Sequence, residues 1–266
     1  MPPPDGRGAA CSRRPRRFGQ SAGVNTSNVL DFADFQRRCG QLSVRQACLP
    51  AGIDPIDQAE LDRLVRRRRR LDAGQALYRA GDAMSAVHVA RCGTFKAVVP
   101  SAQGEATVVA FHLPGELIGL DGLGAGRHRC DAIALEPADV CELPYEALAE
   151  AAARLPKLRA QLHRVVGLGI ARDMDHAALL MRRLAHERVA GFLDDLSRRY
   201  CALGAPPGGF RLPMARDEIA AYLGLTLESV SRSLTRLQED GMLYVRGRRI
   251  EILDPPRLAA VAGSAA

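Results

Sequence analysis

The segment 38–50 reads RCGQLSVRQACLP and places two thiols, Cys39 and Cys48, nine positions apart among polar residues and arginines. Thiolates bind metal ions and take part in redox chemistry, so the pair is a candidate for either role. A structural zinc site is expected to show a close C-x2-C pair with a second pair downstream, and this segment has neither. The spacing therefore disfavours structural zinc and leaves other metal binding and redox chemistry open.

A second group of residues, near the C-terminus, has the chemistry to read DNA. Four polar side chains recur at i, i+3, i+4 and i+7 and share one face of a predicted helix: Glu228, Ser231, Arg232 and Thr235. Arginine can hold guanine through O6 and N7, and glutamate can accept a hydrogen bond from the cytosine amino group. This face therefore predicts direct contact with base edges.

The residues around this face have helix-turn-helix spacing. Ile219 and Leu223 give a short helix its apolar side, Gly224 supplies a tight turn, and Thr226 is placed to cap the second helix. The inner positions of that second helix are Val230, Leu234 and Leu237. An ordinary solvated helix pair explains Glu228 or Arg232 singly, but it explains the whole arrangement poorly.

A basic hairpin follows the two helices. The segment MLYVRGRRIEIL turns at Gly247 and carries Arg246, Arg248 and Arg249, as expected of a wing that binds DNA phosphates. Two short helices about a glycine turn, a polar outer face and a basic hairpin together predict a winged helix-turn-helix that binds double-stranded DNA.

Upstream, the pattern changes twice along the chain. It is helical from about 51 to 72, and then four β-rich runs follow, separated by glycine or proline (75–82, 86–100, 106–119 and 131–144). Regularly punctuated short strands indicate a small antiparallel roll or jelly roll. From 145 to 202 the pattern is helical again and contains a stripe that is apolar except for one carboxylate: Val166, Ile170, Asp173, Ala177, Leu180 and Leu184. Such a stripe packs within its own domain or pairs with a second copy of the chain.

These patterns predict an α+β protein in four parts. Residues 1–30 form a disordered basic tail, and 31–144 form a domain with the cysteine segment, a helix and the roll, which the family resemblance given below makes a sensor domain. Residues 145–202 form a long helix, which the same resemblance makes a dimerisation helix, and a connecting helix, and 203–266 form the winged helix-turn-helix.

Composition excludes several classes of protein. The N-terminus lacks the apolar core of a secretory signal, and no run reaches the 18 or so apolar residues of a membrane span, so a cytoplasmic protein with no membrane partner is expected. The net charge of +7 arises within residues 1–80, which carry 15 Arg and 8 acidic residues, so global charge does not locate a DNA surface. The run Arg66–Arg70 is interpreted as a solvated basic strand or loop.

An enzyme is not expected. His88, His112, His163 and His176 and the seven cysteines could supply a nucleophile and a base, but no two of them lie in a recognisable catalytic context. Cys92, Cys130 and Cys201 are interpreted as buried thiols.

The order of roll, long helix and winged helix-turn-helix, with LPGELIG, VCELP, LSRRY and ESVSR, resembles the Crp/Fnr transcription regulators, and specifically their oxygen-sensing FNR branch. The resemblance covers roughly 31–263. It implies a homodimer joined by the long helix, contact with RNA polymerase, and an E-x-x-S-R reading motif, matched by Glu228, Ser231 and Arg232. It also implies recognition of a palindrome with TTGAT and ATCAA half-sites.

The resemblance gives the cysteines a role. Proteins of the FNR branch carry a C-x2-C-x5-C motif and, far downstream, a fourth cysteine in a V-C-E-[IL]-P motif. Their four thiolates hold an oxygen-labile [4Fe–4S] cluster. Cys39, Cys48 and Cys141 match the first, third and fourth positions, whereas the second is Leu42, which has no donor atom. Three outcomes stay open: Cys11 supplies the fourth thiolate, a carboxylate such as Asp34 or a small exogenous ligand fills the site, or the cluster is lost and the cysteines act as thiol redox sensors.

The alternative is a Crp-like regulator that senses a small effector or cyclic nucleotide without a cluster. Nucleotide-binding members of the family carry a P-G-E-L motif followed by an R-[ST]-A motif, the phosphate clamp, which binds the phosphate of the nucleotide. Residues 114–117 match the first part, but the clamp position reads Arg129, Cys130, Asp131 and Ala132, which places a carboxylate where a phosphate needs donors. Cyclic nucleotide is therefore disfavoured.

Overall fold

The computed structural model describes residues 55–100, 106–205 and 209–263. The helices of this part of the chain are α1 (Pro55–Leu64), α2 (Tyr145–Arg154), α3 (Pro156–Leu180), α4 (Ala185–Ala202), α5 (Arg216–Leu223), α6 (Leu227–Glu239) and α7 (Pro255–Ala262). The strands are β1 (Arg67–Leu71), β2 (Ala76–Tyr78), β3 (Ala86–Cys92), β4 (Phe95–Pro100), β5 (Ala106–His112), β6 (Leu117–Ile118), β7 (Asp131–Ala134), β8 (Ala138–Pro144), β9 (Gly209–Arg211), β10 (Leu243–Arg246) and β11 (Arg249–Ile252).

Strands β1 to β8 form a roll of two four-stranded antiparallel sheets, in the orders β1-β8-β3-β6 and β2-β7-β4-β5. Phe95, Ile118, Ala132 and Val140 are fully buried in its core, because alternate residues of each strand face the opposite sheet. The β-rich runs between glycines and prolines therefore predicted the roll correctly.

The helical prediction for 51–72 is wrong at its C-terminal end. Helix α1 ends at Leu64, and the arginine run forms β1, an edge strand that pairs with β8 from Arg67↔Glu142 to Leu71↔Ala138. Strand pairing satisfies the backbone, while Arg68 and Arg70 stay exposed. The interpretation of this run as a basic strand is confirmed.

The region 145–202 forms three helices, one more than the predicted long helix and connecting helix. Pro156 begins α3, since proline is tolerated in the first turn of a helix and limits the residue before it. The second break, between Met181 and Leu184, contains neither glycine nor proline. There the Arg188 side chain donates to the Arg182 carbonyl at 2.9 Å, and Glu187 accepts from the Leu184 N–H at 3.4 Å, so side chains of α4 satisfy the exposed backbone.

The C-terminal helices and hairpin share one apolar core with part of the roll. Val98, Val108, Phe111 and Leu113 of the roll belong to the same buried cluster as the helix-turn-helix core, and α4 packs into that cluster as well. A further contact joins Lys96 of β4 to Glu218 of α5 at 2.7 Å. The sensor roll and the C-terminal unit of one chain are therefore in direct contact.

Part of the sequence predictions falls on residues outside those described. Cys11, Asp34, Cys39, Leu42 and Cys48 are among them, as are the whole basic tail 1–30 and its predicted disorder. Within the described ranges, no helix is both long and apolar enough to span a membrane.

Candidate functional site

The helix-turn-helix is formed by α5, a turn and α6, as the sequence predicts. Gly224 has φ 60°, a left-handed conformation in which its lack of a side chain avoids strain. Thr226 caps α6 by accepting a hydrogen bond from the Ser229 N–H at 3.1 Å. The predicted inner residues are buried: Ile219, Leu223, Val230, Leu234 and Leu237. Burial of these residues fixes which face of α6 points outward.

That outward face carries the predicted reading residues. Glu228, Ser231, Arg232 and Thr235 are all exposed on α6. The guanidinium of Arg232 donates to the Glu228 carboxylate at 2.5 Å, one helical turn away. This pair holds both side chains along the same face, with most of each still open to a ligand: 78% of Arg232 and 70% of Glu228 are exposed. The arrangement suits bidentate contact with a base edge.

The wing is the hairpin β10–β11, which turns at Gly247 with φ 61°. Arg246 and Arg248 are exposed and Arg249 is half-buried. Arg248 donates to the Pro213 carbonyl at 3.0 Å, so part of its hydrogen-bonding capacity is used within the domain. Arg246 is consequently the wing side chain best placed to bind a phosphate.

Helix α3 exposes an apolar face. Ile170 is 57% exposed and Met174 is 68% exposed, an unusual state for side chains of this size. The other predicted seam residues line the same helix: Asp173 and Ala177 are exposed, and Val166 and Leu180 are half-buried. Leu184 lies outside α3, as the N-cap of α4, so it does not continue the stripe. Met174 was missed, although it follows Ile170 by four residues.

Cys141 is the one predicted cluster ligand among the described residues. It lies on β8, half-buried, with its backbone opposite Arg68 and Val89 in the neighbouring strands. Burial raises the pKa of its thiol, while Arg91 and Arg68 act in the opposite direction. Asp139, which pairs with Arg91 at 3.0 Å, and Asp62 add to the effect of burial, so the pKa of the thiol lies above its ordinary value. In the described ranges, no three His, Cys, Asp or Glu side chains are grouped to hold a metal ion.

A cavity of about 800 Å³ lies between the roll, α3 and the C-terminal core. Close to it, Glu116 of the P-G-E-L motif binds Arg199 of α4 through both oxygens, at 3.0 and 2.8 Å, and also pairs with Arg172 of α3. Arg199 donates as well to the Phe111 carbonyl at 2.6 Å. Burial opposes the charge of Glu116, but the two arginines lower its pKa below the ordinary value. Glu116, which directly precedes β6, therefore connects the roll to α3 and α4.

At the expected phosphate clamp, Asp131 accepts hydrogen bonds from Arg79 at 2.6 Å and from the Ala80 N–H at 2.8 Å. The N–H groups of Arg129 and Cys130 instead contact Asp121. Sequence reasoning missed Asp121 and Arg199, because no spacing links either residue to its partners.

A winged helix-turn-helix, with an exposed polar reading face and an antiparallel sensor roll, defines a class of DNA-binding regulators. Comparison with known proteins supports the class: residues 187–261 match the Crp-like helix-turn-helix domain, and residues 68–154 match the cyclic nucleotide-binding domain.

The chain is 40% identical over 225 residues to the fumarate and nitrate reduction regulatory protein of Salmonella typhimurium, covering 85% of this chain and 90% of that protein. It is 42% identical over 231 residues to the transcriptional activator protein Anr of Pseudomonas protegens, covering 87% and 95%. The solved structure of FixK2 from Bradyrhizobium japonicum is similar with a TM-score of 0.67 and 32% identity, covering 75% of this chain and 98% of that one.

The chain belongs to the Crp/Fnr family of transcription regulators. It is a DNA-binding protein rather than an enzyme, and its fold is the predicted α+β arrangement of roll, long helices and winged helix-turn-helix.

Proposed function

We propose that this protein is a homodimeric regulator that reads a TTGAT/ATCAA palindrome and responds to oxygen or redox state. The observation that carries the DNA-reading role is the outward face of α6, where Arg232 and Glu228 are paired, exposed and held by a buried apolar core. Ser231 lies beside them on the same face. Arg232 is assigned to guanine and Glu228 to the cytosine amino group, while the wing arginines bind phosphates.

Dimerisation through α3 is consistent with recognition of a palindrome. A two-fold dimer presents two copies of α6, and a palindromic operator offers each copy the same half-site. The exposed apolar side chains Ile170 and Met174 provide the surface that a second α3 would cover. Contact with RNA polymerase follows from family membership, as does a place in the cytoplasm.

The proposed sensor comprises Cys39, Cys48 and Cys141. Cys141 supports the role because it is only half-buried and stands opposite Arg68 in the β1–β8 pair, whose positive charge would partly balance that of an anionic iron–sulfur group. When bound, a [4Fe–4S] cluster would react with oxygen and be destroyed by it. Leu42 stands where the resemblance implies a fourth thiolate, so three thiolates of this chain would hold the group and another ligand would complete it.

The cavity of about 800 Å³ supports a second candidate, a Crp-like regulator with a small effector bound beside α3. Cyclic nucleotide is disfavoured as that effector, because Glu116 is already bound by Arg199 and Arg172. Calorimetry of the wild-type protein with cyclic AMP separates this candidate from the sensor proposed above: saturable heat would favour the effector.

The DNA-reading role is tested by fluorescence anisotropy with a labelled TTGAT/ATCAA duplex and a duplex of scrambled half-sites. We expect binding at least tenfold tighter to the palindrome, about 1.4 kcal/mol or more, at one fixed salt concentration. Equal affinity for the two duplexes would contradict the proposed specificity.

The sensor is tested by reconstituting wild type and Leu42→Cys with iron and sulfide without oxygen. We expect visible absorbance in both and slower loss of it in air for Leu42→Cys, since four thiolates hold the group better than three. Cys201→Ala is the control, and it should leave the absorbance unchanged. Absence of iron and sulfide from both proteins would reject the cluster and leave thiol redox sensing to be tested.

A further inference from the structure

Helix α5, the first helix of the helix-turn-helix, is held at its C-terminal end by side chains of α3 and α4. The Tyr222 carbonyl accepts a hydrogen bond from Nε2 of His176 at 2.9 Å, and the Leu223 carbonyl accepts one from Arg188 at 3.1 Å. The last carbonyls of a helix have no partner within that helix, so these donors satisfy groups that would otherwise need water. The last turn of α5 is therefore attached to the long helix α3 by a directed contact.

The same histidine also packs on the ring of Tyr222. The two rings are nearly parallel, at 5°, with centroids 3.8 Å apart. Because a carbonyl oxygen only accepts a hydrogen bond, Nε2 of His176 must carry the proton. Phe111 of the roll and Phe192 of α4 contact the Tyr222 ring as well, with centroids 5.0 and 5.7 Å away. Tyr222 is thus held by α3, by α4 and by the roll.

The first turn of α5 is held by the roll. One oxygen of Glu218 accepts a hydrogen bond from Nζ of Lys96 on β4 at 2.7 Å, and its other oxygen accepts one from the Ala215 N–H at 2.7 Å. The carboxylate therefore caps α5 while it pairs with a cation of the roll. Only 22% of the Lys96 side chain and 17% of the Glu218 side chain are exposed, so solvent screens this pair less than an ion pair on the open surface.

These contacts lie at opposite ends of one short helix. The eight residues of α5 span about 12 Å, and contacts at both ends oppose its rotation as well as its displacement. His176 and Lys96 both lie outside 187–261, the residues that match the helix-turn-helix domain. Leu223 of α5 and Val230 of α6 are fully buried in one core, so the direction of α6 follows from that of α5.

We propose that His176 and Lys96 are positioning residues for DNA reading, which attach the two ends of α5 to α3 and to the roll and so hold α6 in the orientation that a palindrome requires. This inference rests on the dimeric reading proposed above. After one copy of α6 has bound, binding of the second copy is intramolecular, and its gain depends on the effective concentration of that helix at its half-site. A reading helix that is free to rotate is less often in the required orientation, so it gains less from the second half-site.

The test compares binding to the TTGAT/ATCAA duplex with binding to a duplex in which one half-site is scrambled. The ratio of the two dissociation constants, measured by fluorescence anisotropy, is the gain from the second half-site. Lys96→Met keeps the apolar stem of the lysine without its charge, and His176→Phe keeps a ring against Tyr222 without an N–H. We expect each variant to lower the ratio by about fivefold or more and to leave the affinity for the single half-site nearly unchanged.

The ratio separates positioning from stability, because a loss of folded protein weakens binding to both duplexes by the same factor. Lys96→Arg and His176→Gln retain a donor at each position and should restore most of the ratio. Arg154→Met is the matched control: it removes an ion pair of 3.0 Å with Glu60, between α1 and α2, and should keep the wild-type ratio. Sedimentation velocity should give the same dimer fraction for all of these proteins.

Two results would overturn the inference and leave the proposed function standing: an unchanged ratio in Lys96→Met and His176→Phe, or a fall in dimer fraction that accounts for the lower ratio. A wild-type protein that binds the two duplexes equally would instead reject the proposed reading of a palindrome, and the inference with it.

Discussion

Arg232 is exposed on α6, and its guanidinium fork matches a guanine edge. We predict that Arg232→Ala weakens binding to the TTGAT/ATCAA duplex by about 1–3 kcal/mol per half-site and flattens the preference at one base pair. Substituting each base pair of the half-site in turn, and measuring the dissociation constant for each duplex, locates the position that is read.

Arg246→Ala is the matched comparison, because Arg246 is equally exposed but lies on the wing. Loss of a phosphate contact should weaken all duplexes alike and reduce the salt dependence of binding by roughly one unit of slope. If both variants lost base preference to the same degree, the division of roles between α6 and the wing would be wrong.

His88 gives the roll a predicted sensitivity to acid. Burial, with smaller effects from Arg69 and His128, lowers its pKa from 6.5 to about 4. Its Nδ1 is buried and makes no hydrogen bond with the described part of the chain. The unfolded chain therefore binds a proton as the pH falls through 6.5, whereas the folded protein does so only near pH 4. The titration of His88 therefore leaves the free energy of unfolding unchanged above pH 6.5. Between pH 6.5 and pH 4 it lowers this free energy by about 1.4 kcal/mol per pH unit for one proton.

Urea unfolding at pH 7 and pH 5 checks this effect. Burial lowers the pKa of His112 to about 4 as well, so His88→Gln should remove part of the pH dependence rather than all of it. His163→Gln, on the exposed surface of α3, is the control and should keep the wild-type slope. An unchanged slope in His88→Gln would contradict the assignment.

At the scale of helices and strands, local patterns predicted most of the elements. The helix-turn-helix followed from the spacing around Gly224, and the roll followed from short β-rich runs between turns. The strand at Arg67–Leu71 was partly misassigned, because its partner β8 lies some 70 residues later and no local pattern reveals that pairing. The break between α3 and α4 was missed for a similar reason: the segment has good helix formers, and Arg188 of the following helix stabilises the turn.

Some residues of the candidate site were predictable from local sequence patterns and others were not. Glu228, Ser231 and Arg232 share a face because of helical periodicity, so the sequence alone could place them together. Asp121 meets Tyr78, and Glu116 meets Arg199, only through the packing of distant segments. Tertiary contacts of this kind carry no periodic signal.

The exposed face of α3 leads to a prediction about Asp173. In a symmetric dimer this carboxylate would approach its own copy among the apolar residues of the seam, and two like charges there oppose association. Asp173→Ala should therefore shift the monomer–dimer equilibrium toward dimer and tighten binding to the palindrome. Sedimentation velocity over a concentration series measures the shift.

Asp175→Ala provides the control, since Asp175 is exposed on the same helix but lies about 200° further round it. It should leave the equilibrium unchanged. A similar dimer fraction in wild type and Asp173→Ala would show that Asp173 does not oppose its copy.

At the scale of the whole molecule, the ion pairs of Glu116 hold the roll, α3 and α4 together. Removal of Arg199 would leave a largely buried carboxylate with one cation, Arg172, in place of two, so Arg199→Met should lower the free energy of unfolding by about 3 kcal/mol. Arg198→Met is the comparison, because Arg198 pairs with Asp194 at 3.4 Å on the surface and should cost at most about 0.5 kcal/mol.

Glu116→Gln tests whether the pair acts as a unit. Combined with Arg199→Met, it should cost less than the sum of the two single changes, because either single change already removes the ion pair between these two side chains. Chemical denaturation of the four proteins gives the coupling energy. Strict additivity would show that Glu116 and Arg199 contribute independently.

The ring of Tyr222, on the first helix of the helix-turn-helix, stacks on His176 of α3 with centroids 3.8 Å apart and also contacts Phe111 of the roll. Together with the ion pair between Lys96 and Glu218, this contact joins the first helix of the helix-turn-helix to both α3 and the roll of the same chain. In the proposed dimer, the distance between the two reading helices would therefore depend on the angle at which the α3 helices cross. Successive major grooves on one side of DNA are about 34 Å apart, and a small rotation at the crossing would be magnified by the length of each subunit into a mismatch with that spacing.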